Sequence, residues 1–379
     1  MINKYLCDKL NESIDALEKP LIDAIGELVN VNSVQGTAMP GAPFGLGPRK
    51  ALDVALAIAD KLGFKTVNLD NKIGYAEFGD SPGLDDANYI GIFGHVDIVE
   101  AGKGWTSDPF VLRRDGDYLF GRGVLDNKGP ILSNLFALYA LKELGVTFKR
   151  PVRLVFGCNE ESGFECVKHY NQVAKPPTFG WTPDCKWPVV VGEKGRLNLR
   201  VINHGNREVF YRWINDYVFA SLSDGKALGI FRKSDRFGET LMRGYRLEMV
   251  ENCESLRWSI SYPETISGDE ILDLVGGLLP ESIALECISK HDSVNYVDAD
   301  AEFVRVLADV YGEFVDVDEA IVTTSGGTYA RAIDNIVAFG PSFPDQKNIA
   351  HLPDEWIKVS DLMLNTKIYA HALLALKDM

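Results

Sequence analysis

The sequence predicts an α/β protein whose mostly parallel sheet is flanked by helices, with a smaller α+β domain inserted into it. Short apolar runs alternate with stretches of helical periodicity in the first half of the chain and again near its end. This alternation is typical of βαβ units. Between these parts the pattern changes to alternating strands. We therefore expect a main domain of residues 1–197 and 294–379, and an inserted domain of residues 198–293.

The first half supplies most of the α/β pattern. An amphipathic helix begins the chain, with Leu6, Leu10 and Ile14 at helical spacing. The Gly/Pro-rich stretch SVQGTAMPGAPFGLGPRK predicts a long loop, which would suit the border of a substrate cleft. The elements predicted after it are the helix ALDVALAIADKLG, the strand NYIGIFGHVDIV, a helix over about 128–144, the strand VRLVFGCNEE, a helix from about residue 162 and the strand PVVVGEKG.

The inserted segment and the C-terminal part complete the prediction. Four strands are expected in the insertion, RLNLRVIN, ALGIFRK, MRGYRLEMVE and LRWSISYP, together with a helix near GDEILDLVGGLL. The α/β pattern then resumes with the helix AEFVRVLADVYGEF, the Gly-rich turn TTSGGTYAR, the strand NIVAFGP and the helix LMLNTKIYAHALLAL.

Composition excludes some classes of partner. The formal net charge of -15 would repel nucleic acid and an anionic membrane surface. The six cysteines form no CxxC pair, so neither a structural zinc site nor a disulfide framework is indicated, and a cytoplasmic location fits best. No apolar stretch is long enough to span a membrane, and the N-terminal helix does not have the pattern of a secretory signal.

The first candidate functional residues end the strand NYIGIFGHVDIV. His95 and Asp97 are two residues apart, and residues i and i+2 of a strand share one face. A metal-binding histidine needs its second ring nitrogen held by a carboxylate or carbonyl, and Asp97 is placed to do this. The alternative is a strand-end histidine paired with a solvated aspartate.

Three further acids follow apolar runs or lie in Gly-rich turns. Asp126 lies in GRGVLDNKGP, where it is either a turn former or a ligand. Glu160 and Glu161 are adjacent in CNEESG, and a buried pair of acids needs a cation or a shared proton, whereas a solvated pair needs neither.

Two more candidates, Asp184 in TPDCKWP and His351 in NIAHLPDE, complete a mixed nitrogen and oxygen set. Taken alone, each is more often a loop residue. Together, His95, Asp126, Glu161, Asp184 and His351 suit two zinc ions bridged by one carboxylate, with Glu160 left as a base.

Several motifs resemble a known family: GHVDIV, GWTSDPF, GRGVLDNKG, CNEESG, TPDCKWPVVVGEKG, GGTYAR and AHLPDE. The chain resembles the co-catalytic zinc aminoacylase, carboxypeptidase and dipeptidase family, most closely its bacterial dipeptidase V branch. The resemblance implies a catalytic metallopeptidase domain with an inserted lid or dimerisation-like domain. It also implies amide hydrolysis of a small peptide substrate at two Zn²⁺ ions, although Mn²⁺ or Co²⁺ would suit the same ligands.

The resemblance also implies a role for each candidate. His95 and Asp184 would bind one ion, Glu161 and His351 the other, and Asp126 would bridge them. Glu160 would exchange a proton with water and the leaving amine, and Asp97 would orient His95. The peptide bond between Asp126 and Asn127 would be cis, and Arg331 would bind a substrate carboxylate or amide.

The chain departs from this family in its insertion, which is shorter than the dipeptidase V lid. Neither His204 nor His291 lies in the setting of the lid histidine, and Ser261 stands where the family commonly has an arginine. Three hypotheses follow: a zinc dipeptidase or related exopeptidase, an N-acyl amino acid deacylase, and a metal-binding homologue without peptidase activity. A homodimer and a monomer with a reduced lid both fit the sequence.

Overall fold

The computed structural model describes residues 4–80, 83–221, 223–291, 295–316, 318 and 320–379. Within them the chain forms two compact units. The main unit comprises residues 1–191, 297–322 and 328–379, and the inserted unit comprises residues 192–296 and 323–327. The predicted boundary between residues 293 and 294 lies outside the described residues. The catalytic role predicted for one part and the lid role predicted for the other stay predictions.

The main unit is built on a mixed sheet, which confirms the predicted fold class. Four central strands pair in parallel, and they are β6 (Val152–Gly157), β3 (Ile90–His95), β7 (Phe179–Thr182) and β18 (Ile336–Phe339). Their carboxyl ends meet at one edge, so residues that follow different strands come together there. Antiparallel strands flank them: β1 (Lys65–Leu69) and β2 (Ile73–Phe78) on one side, and β9 (Val189–Glu193) on the other, with β17 (Ile321–Thr324) also pairing with β9. Strand β16 (Asn295–Tyr296) belongs to the inserted unit and pairs with residues 192–193 of β9, which belong to the same unit.

Helices flank this sheet. Helix α4 is buried along nearly its whole circumference and packs against α9, because both are apolar on every side. The helices are α1 (Lys4–Asp15), α2 (Glu18–Val29), α3 (Leu46–Lys61), α4 (Lys128–Glu143), α5 (Glu165–Val173), α8 (Glu302–Phe314), α9 (Val359–Leu376) and the 3₁₀ turn Tyr329–Arg331. Small sheets join β4 (Arg113–Asp115), β5 (Tyr118–Phe120) and β20 (Trp356–Lys358), and join β8 (Cys185–Lys186) to β19 (Pro341–Ser342).

The inserted unit has an antiparallel sheet with one face packed on an apolar core. Side chains of β10 alternate between buried and half-buried, as expected for a strand with one covered face. The strand order is β13 (Leu241–Val250), β14 (Cys253–Tyr262), β10 (Gly195–Asn203) and β15 (Ile283–His291). The other elements are α6 (Arg207–Trp213), the π-helix Ile214–Phe219, α7 (Gly268–Gly277) and the hairpin of β11 (Lys233–Ser234) with β12 (Gly238–Glu239).

One predicted strand is wrong. ALGIFRK forms a turn instead, and only its last residue, Lys233, joins a two-residue strand. Leu228 and Ile230 are both buried in the core of the inserted unit, which explains the alternating pattern. Gly229 between them has a φ of 73°, which a strand does not allow, and the amide of Ile230 donates to the carbonyl of Gly225. Helix α6 and strand β15 were not predicted.

In the part of the chain that the structure describes, none of the helices combines the length and apolar character that crossing a membrane requires. The cytoplasmic location stays a prediction.

Candidate metal centre

His95 is the last residue of β3 and has no exposed surface. Its Nε2 lies 3.1 Å from Oδ1 of Asp126 and 3.5 Å from Oδ2 of Asp184. Its Nδ1 lies 3.0 Å from the main-chain carbonyl oxygen of Asp97 and 3.5 Å from Oδ1 of the same residue. Asp97 therefore fixes the ring so that Nε2 points at two carboxylates, and its main-chain oxygen is the nearer of its two contacts.

The carboxylate of Asp97 also holds the end of a neighbouring strand. It accepts the main-chain N–H of Glu160 at 3.1 Å with one oxygen and that of Glu161 at 3.1 Å with the other. Strands β3 and β6 are parallel neighbours, so Asp97 connects the loops that follow both. One residue, through its main chain and its side chain, thus sets the positions of a histidine and two glutamates.

His351 lies on the other side of Asp126. Its Nε2 lies 3.0 Å from Oδ2 of Asp126 and 2.9 Å from Oε1 of Glu161. The two oxygens of Asp126 therefore face different histidines, and each histidine has one further acid beside it. Two sets of potential ligands share Asp126: His95 with Asp126 and Asp184, and His351 with Asp126 and Glu161. A third group without Asp126 consists of His95, Glu160 and Glu161, and the ligand atoms within each group lie within 4.8 Å of one another.

The loop that carries Asp126 is held from several sides. The peptide bond between Asp126 and Asn127 is cis. The side-chain amide of Asn127 donates to the carbonyl of Pro183 and, at 3.3 Å, to Oδ1 of Asp184. A Cβ at Gly94 would meet the Asn127 side chain at 2.6 Å, so this position requires glycine. Asn127 therefore places Asp184 beside the strand end that bears His95.

The five candidate ligands and Glu160, together called the cluster, bring several carboxylates close together, and a bound cation would offset their charge. Burial, with Asp126 as the next cause, raises the pKa of Asp184 to about 7, and burial likewise raises the pKa of Glu160 and of Glu161. Hydrogen bonds to Asp126 and Glu161 raise the pKa of His351 to about 11. Crowded, buried carboxylates with imidazoles between them are stabilised by a divalent ion, and nitrogen and oxygen ligands suit zinc, manganese or cobalt. The residues present therefore fit the predicted metals.

An open cleft of about 660 Å³ adjoins these residues in the main unit. Its walls continue directly from the centre, because Ile98 follows Asp97 and Ser162 follows Glu161. Part of the wall is the Gly/Pro-rich loop that was expected to border a cleft. The lining residues are Val34, Gln35, Gly36, Thr37, Ile98, Val99, Glu100 and Ser162.

Tyr329 is a residue of the site that sequence reasoning missed. Its buried ring meets the His95 ring edge to face at 6.3 Å, and its hydroxyl lies 3.1 Å from Sγ of Cys166. The signal was the motif GGTYAR, in which only Arg331 was singled out. Arg331 is half-buried two residues further on, in the same 3₁₀ turn, and its substrate contact stays a prediction.

The residues considered as lid donors lie in the inserted unit. Ser261 on β14 is buried, and its register partner on β10 is Arg196. His291 ends β15 and is also paired in register with Arg196. His204 is exposed, with Nδ1 3.7 Å from Sγ of Cys253. Arg196 is thus the strand neighbour of Ser261, the position at which the family commonly has an arginine.

The fold and these residues define a metallopeptidase. Residues 91–375 match Peptidase family M20/M25/M40, and the chain belongs to this family. It is therefore an enzyme of a peptide-hydrolysing family, which confirms the resemblance found in the motifs.

Individual proteins agree with this assignment. The Bacillus subtilis protein named "Putative dipeptidase YtjP" is 28% identical over 468 aligned positions, which cover 96% of this chain and 99% of that protein. Because the alignment is longer than this chain of 379 residues, the relative has inserted segments that this chain lacks.

Solved structures show the same fold. Human carnosine dipeptidase 1 superposes with a TM-score of 0.71 at 14% identity, covering 98% of this chain and 99% of that one. The YXEP protein of Bacillus subtilis, described as a dinuclear metal binding peptidase, has a TM-score of 0.57 at 12% identity, covering 96% of this chain and 100% of that one.

Proposed function

We propose that this chain hydrolyses the peptide bond of dipeptides or other short peptides at a pair of divalent metal ions, with Zn²⁺ as the preferred pair. One observation carries the proposal: the two oxygens of Asp126 face different histidines, and each histidine is accompanied by one more acid. A single carboxylate shared by two ligand sets is what a two-metal site needs. The dipeptidase name of a relative and the dinuclear centre named for a structural neighbour support it.

The ligand sets assign the residues to the two ions. His95 and Asp184 would hold one ion, Glu161 and His351 the other, and Asp126 both. When bound, such ions polarise a carbonyl group and lower the pKa of water toward neutrality.

Glu160 is close to His95 and Glu161 in the third group of potential ligands, but it belongs to neither of the two sets that share Asp126. Its amide is fixed by Asp97, and its side chain is largely buried beside the ligands. We assign it the proton transfers: it takes a proton from the attacking water and returns it to the leaving amine. Asp97 keeps the His95 ring in one orientation, and Arg331 binds the carboxylate of the substrate through its planar fork of donors.

The cleft favours a dipeptide over an N-acyl amino acid. An exposed carboxylate, Glu100, and a side-chain amide, Gln35, line it. The amide oxygen of Gln35 accepts from Nδ2 of Asn159 at 3.0 Å, which fixes the side chain beside the centre. A free amino terminus is positively charged and is attracted to such a wall, whereas an acyl group offers it no charge.

Release of amino acid from a panel of free and N-acetylated dipeptides tests the proposal, with two ions loaded per chain. We expect turnover of free dipeptides, loss of turnover in Glu160→Gln, and normal turnover in Glu165→Gln. Glu165 is the matched control because its side chain is exposed and pairs with Lys168, which is not a candidate ligand. Hydrolysis of N-acetylated members alone would favour the deacylase, and two bound ions without any turnover would favour a binding protein.

The role of the cleft has its own test. Glu100→Gln is expected to raise KM for dipeptides with a free amino terminus about 2- to 5-fold, which corresponds to loss of one exposed charge contact. N-acetylated dipeptides should show no such change. An equal effect on both kinds of substrate would contradict the assignment of this wall to the amino group. A homodimer stays a prediction.

A further inference from the structure

Glu355 is a fully buried acid that gathers the main chain of the Asp126 loop. Its Oε1 accepts the main-chain N–H groups of Gly123 at 3.1 Å, Leu125 at 2.9 Å and Asp126 at 3.1 Å. Its own carbonyl oxygen accepts the N–H of Gly121 at 3.1 Å. A single residue from the C-terminal part of the chain therefore fixes the backbone on both sides of the turn that ends at Asp126.

Arg122 completes the arrangement. Its Nη1 donates to Oε2 of Glu355 at 2.7 Å, and its Nη2 reaches the carbonyl oxygens of Glu100 and Ala101 at 3.4 and 3.3 Å. The guanidinium also lies 5.2 Å from the ring centre of Trp105. Both oxygens of Glu355 are thus engaged, Oε1 by three main-chain N–H groups and Oε2 by Arg122 and, at 3.2 Å, by the shared N–H of Gly123. Arg122 is itself fixed to a third loop.

Glu355 is also connected to the second histidine. His351 precedes it by four residues, and Asp354 between them accepts the N–H and the hydroxyl of Thr106 at 2.9 and 3.0 Å. The segment from His351 to Glu355 is therefore anchored at its C-terminal end. A displacement of the Glu355 carboxylate would move the Asp126 loop and the His351 segment together.

We infer that Glu355 is a positioning residue that holds Asp126 and His351 at the separation required by the second metal ion, which is the ion that Glu161 and His351 would bind. The inference rests on the proposed two-metal function. Glu355 touches no ligand side chain in the contacts described, and acts through the main chain of Asp126. Partners behind metal ligands typically change metal affinity about 10- to 100-fold when they are replaced. The proposed catalytic steps assign no role to Arg122 of GRGVLDNKG, Trp105 of GWTSDPF or Glu355 of AHLPDE. The positioning of the Asp126 loop provides a role for all three.

A purely structural ion pair in the same unit provides a matched control. Glu77 and Arg153 are equally buried and form a 2.8 Å ion pair. Arg153 also contacts the hydroxyl of Tyr170 and the carbonyl of Gly83. The described contacts of this pair include no candidate ligand, so its loss lowers stability without changing the metal centre.

The experiment compares wild type, Glu355→Gln and Glu77→Gln by titration with Co²⁺, following the visible d–d absorption of the bound ion. Glutamine keeps the size of Glu355 but places an NH₂ donor against either Arg122 or the three main-chain N–H groups. We expect Glu355→Gln to bind the second Co²⁺ about 10- to 100-fold more weakly, with an altered spectrum. Glu77→Gln should lower the melting temperature and leave both affinities and the spectrum unchanged.

A second variant, Arg122→Lys, decides the matter if Glu355→Gln does not fold. Lysine keeps the charge beside Glu355 but lacks the fork that reaches the carbonyl groups of Glu100 and Ala101. It should weaken the second Co²⁺ in the same direction. Two Co²⁺ ions bound with wild-type affinity and spectrum in the folded variants would overturn the positioning role alone. A wild type that binds fewer than two ions would instead overturn the proposed function.

Discussion

Asp97 offers the most direct test of how the centre is assembled. Its carboxylate accepts two main-chain N–H groups, those of Glu160 and Glu161, each at 3.1 Å. The side chain is 1% exposed, so the two N–H groups do not face bulk water. A buried donor that loses its acceptor costs about 1–3 kcal/mol. We expect Asp97→Ala to lower the free energy of unfolding by about 2–6 kcal/mol, and Asp97→Asn, which keeps one acceptor oxygen, by about half of that.

Urea denaturation of the metal-free protein measures this effect, and a Zn²⁺ titration of the same samples measures the affinity. The affinity should fall about 10- to 100-fold, because both glutamates lose their support and His95 keeps only the main-chain oxygen of residue 97. Asp108→Asn is the control, since Asp108 is exposed and accepts one main-chain N–H from Phe110, so a change of about 0.5 kcal/mol or less is expected. Equal stability of Asp97→Ala and Asp108→Asn would refute the reasoning.

Three further predictions concern the ligands, the pH dependence and the packing behind the centre. Alanine at either Asp184 or His351 should reduce the bound metal from two ions per chain to one by elemental analysis, and retention of two would contradict the ligand assignment. In the metal-free protein the pKa of Asp184 is about 7 instead of the ordinary 3.8, so the folded chain keeps a proton that the unfolded chain releases. Wild-type stability should therefore fall relative to Asp184→Asn as the pH rises from about 4 to 7, and a constant difference would contradict this burial effect. Gly157→Ala should lower the free energy of unfolding by about 1–3 kcal/mol, because its methyl group would overlap the hydroxyl of Tyr329. The control is Gly312→Ala in helix α8, where a Cβ has nothing within 4 Å and the free energy of unfolding should stay the same or rise by up to about 1 kcal/mol. Equal denaturation midpoints of the two variants would show that Tyr329 is free to move.

The candidate ligands were accessible to sequence reasoning because each belongs to a recognisable local pattern. His95 and Asp97 end a run of apolar residues, and Glu160 and Glu161 end another. Parallel strands deliver such ends to one edge of the sheet, so local patterns predicted a shared location. The same reasoning failed for ALGIFRK, because a turn around Gly229 buries the residues on both sides as a strand does.

Residues that act by holding other residues in position are not marked by a local pattern in the sequence. Glu355 lies 229 residues from Asp126 in sequence, and its burial and its three main-chain donors exist only in the folded chain. Tyr329 was passed over for a similar reason, since an aromatic residue in a Gly-rich turn does not reveal which ring or thiol it will meet. Asp97 was expected to hold His95, but its two bonds to the loop after β6 depend on strand pairing.

The sequence by itself therefore determined the fold class, the metallopeptidase resemblance and the types of residue at the candidate centre, since periodicity and motif chemistry are local properties of the chain. Tertiary structure alone decided which oxygen of Asp126 faces which histidine, and that Glu355 and Arg122 fix the loop between them. These features depend on contacts between strands and loops that are far apart in sequence. The buried main-chain groups that make these contacts have their hydrogen-bond partners only in the folded chain.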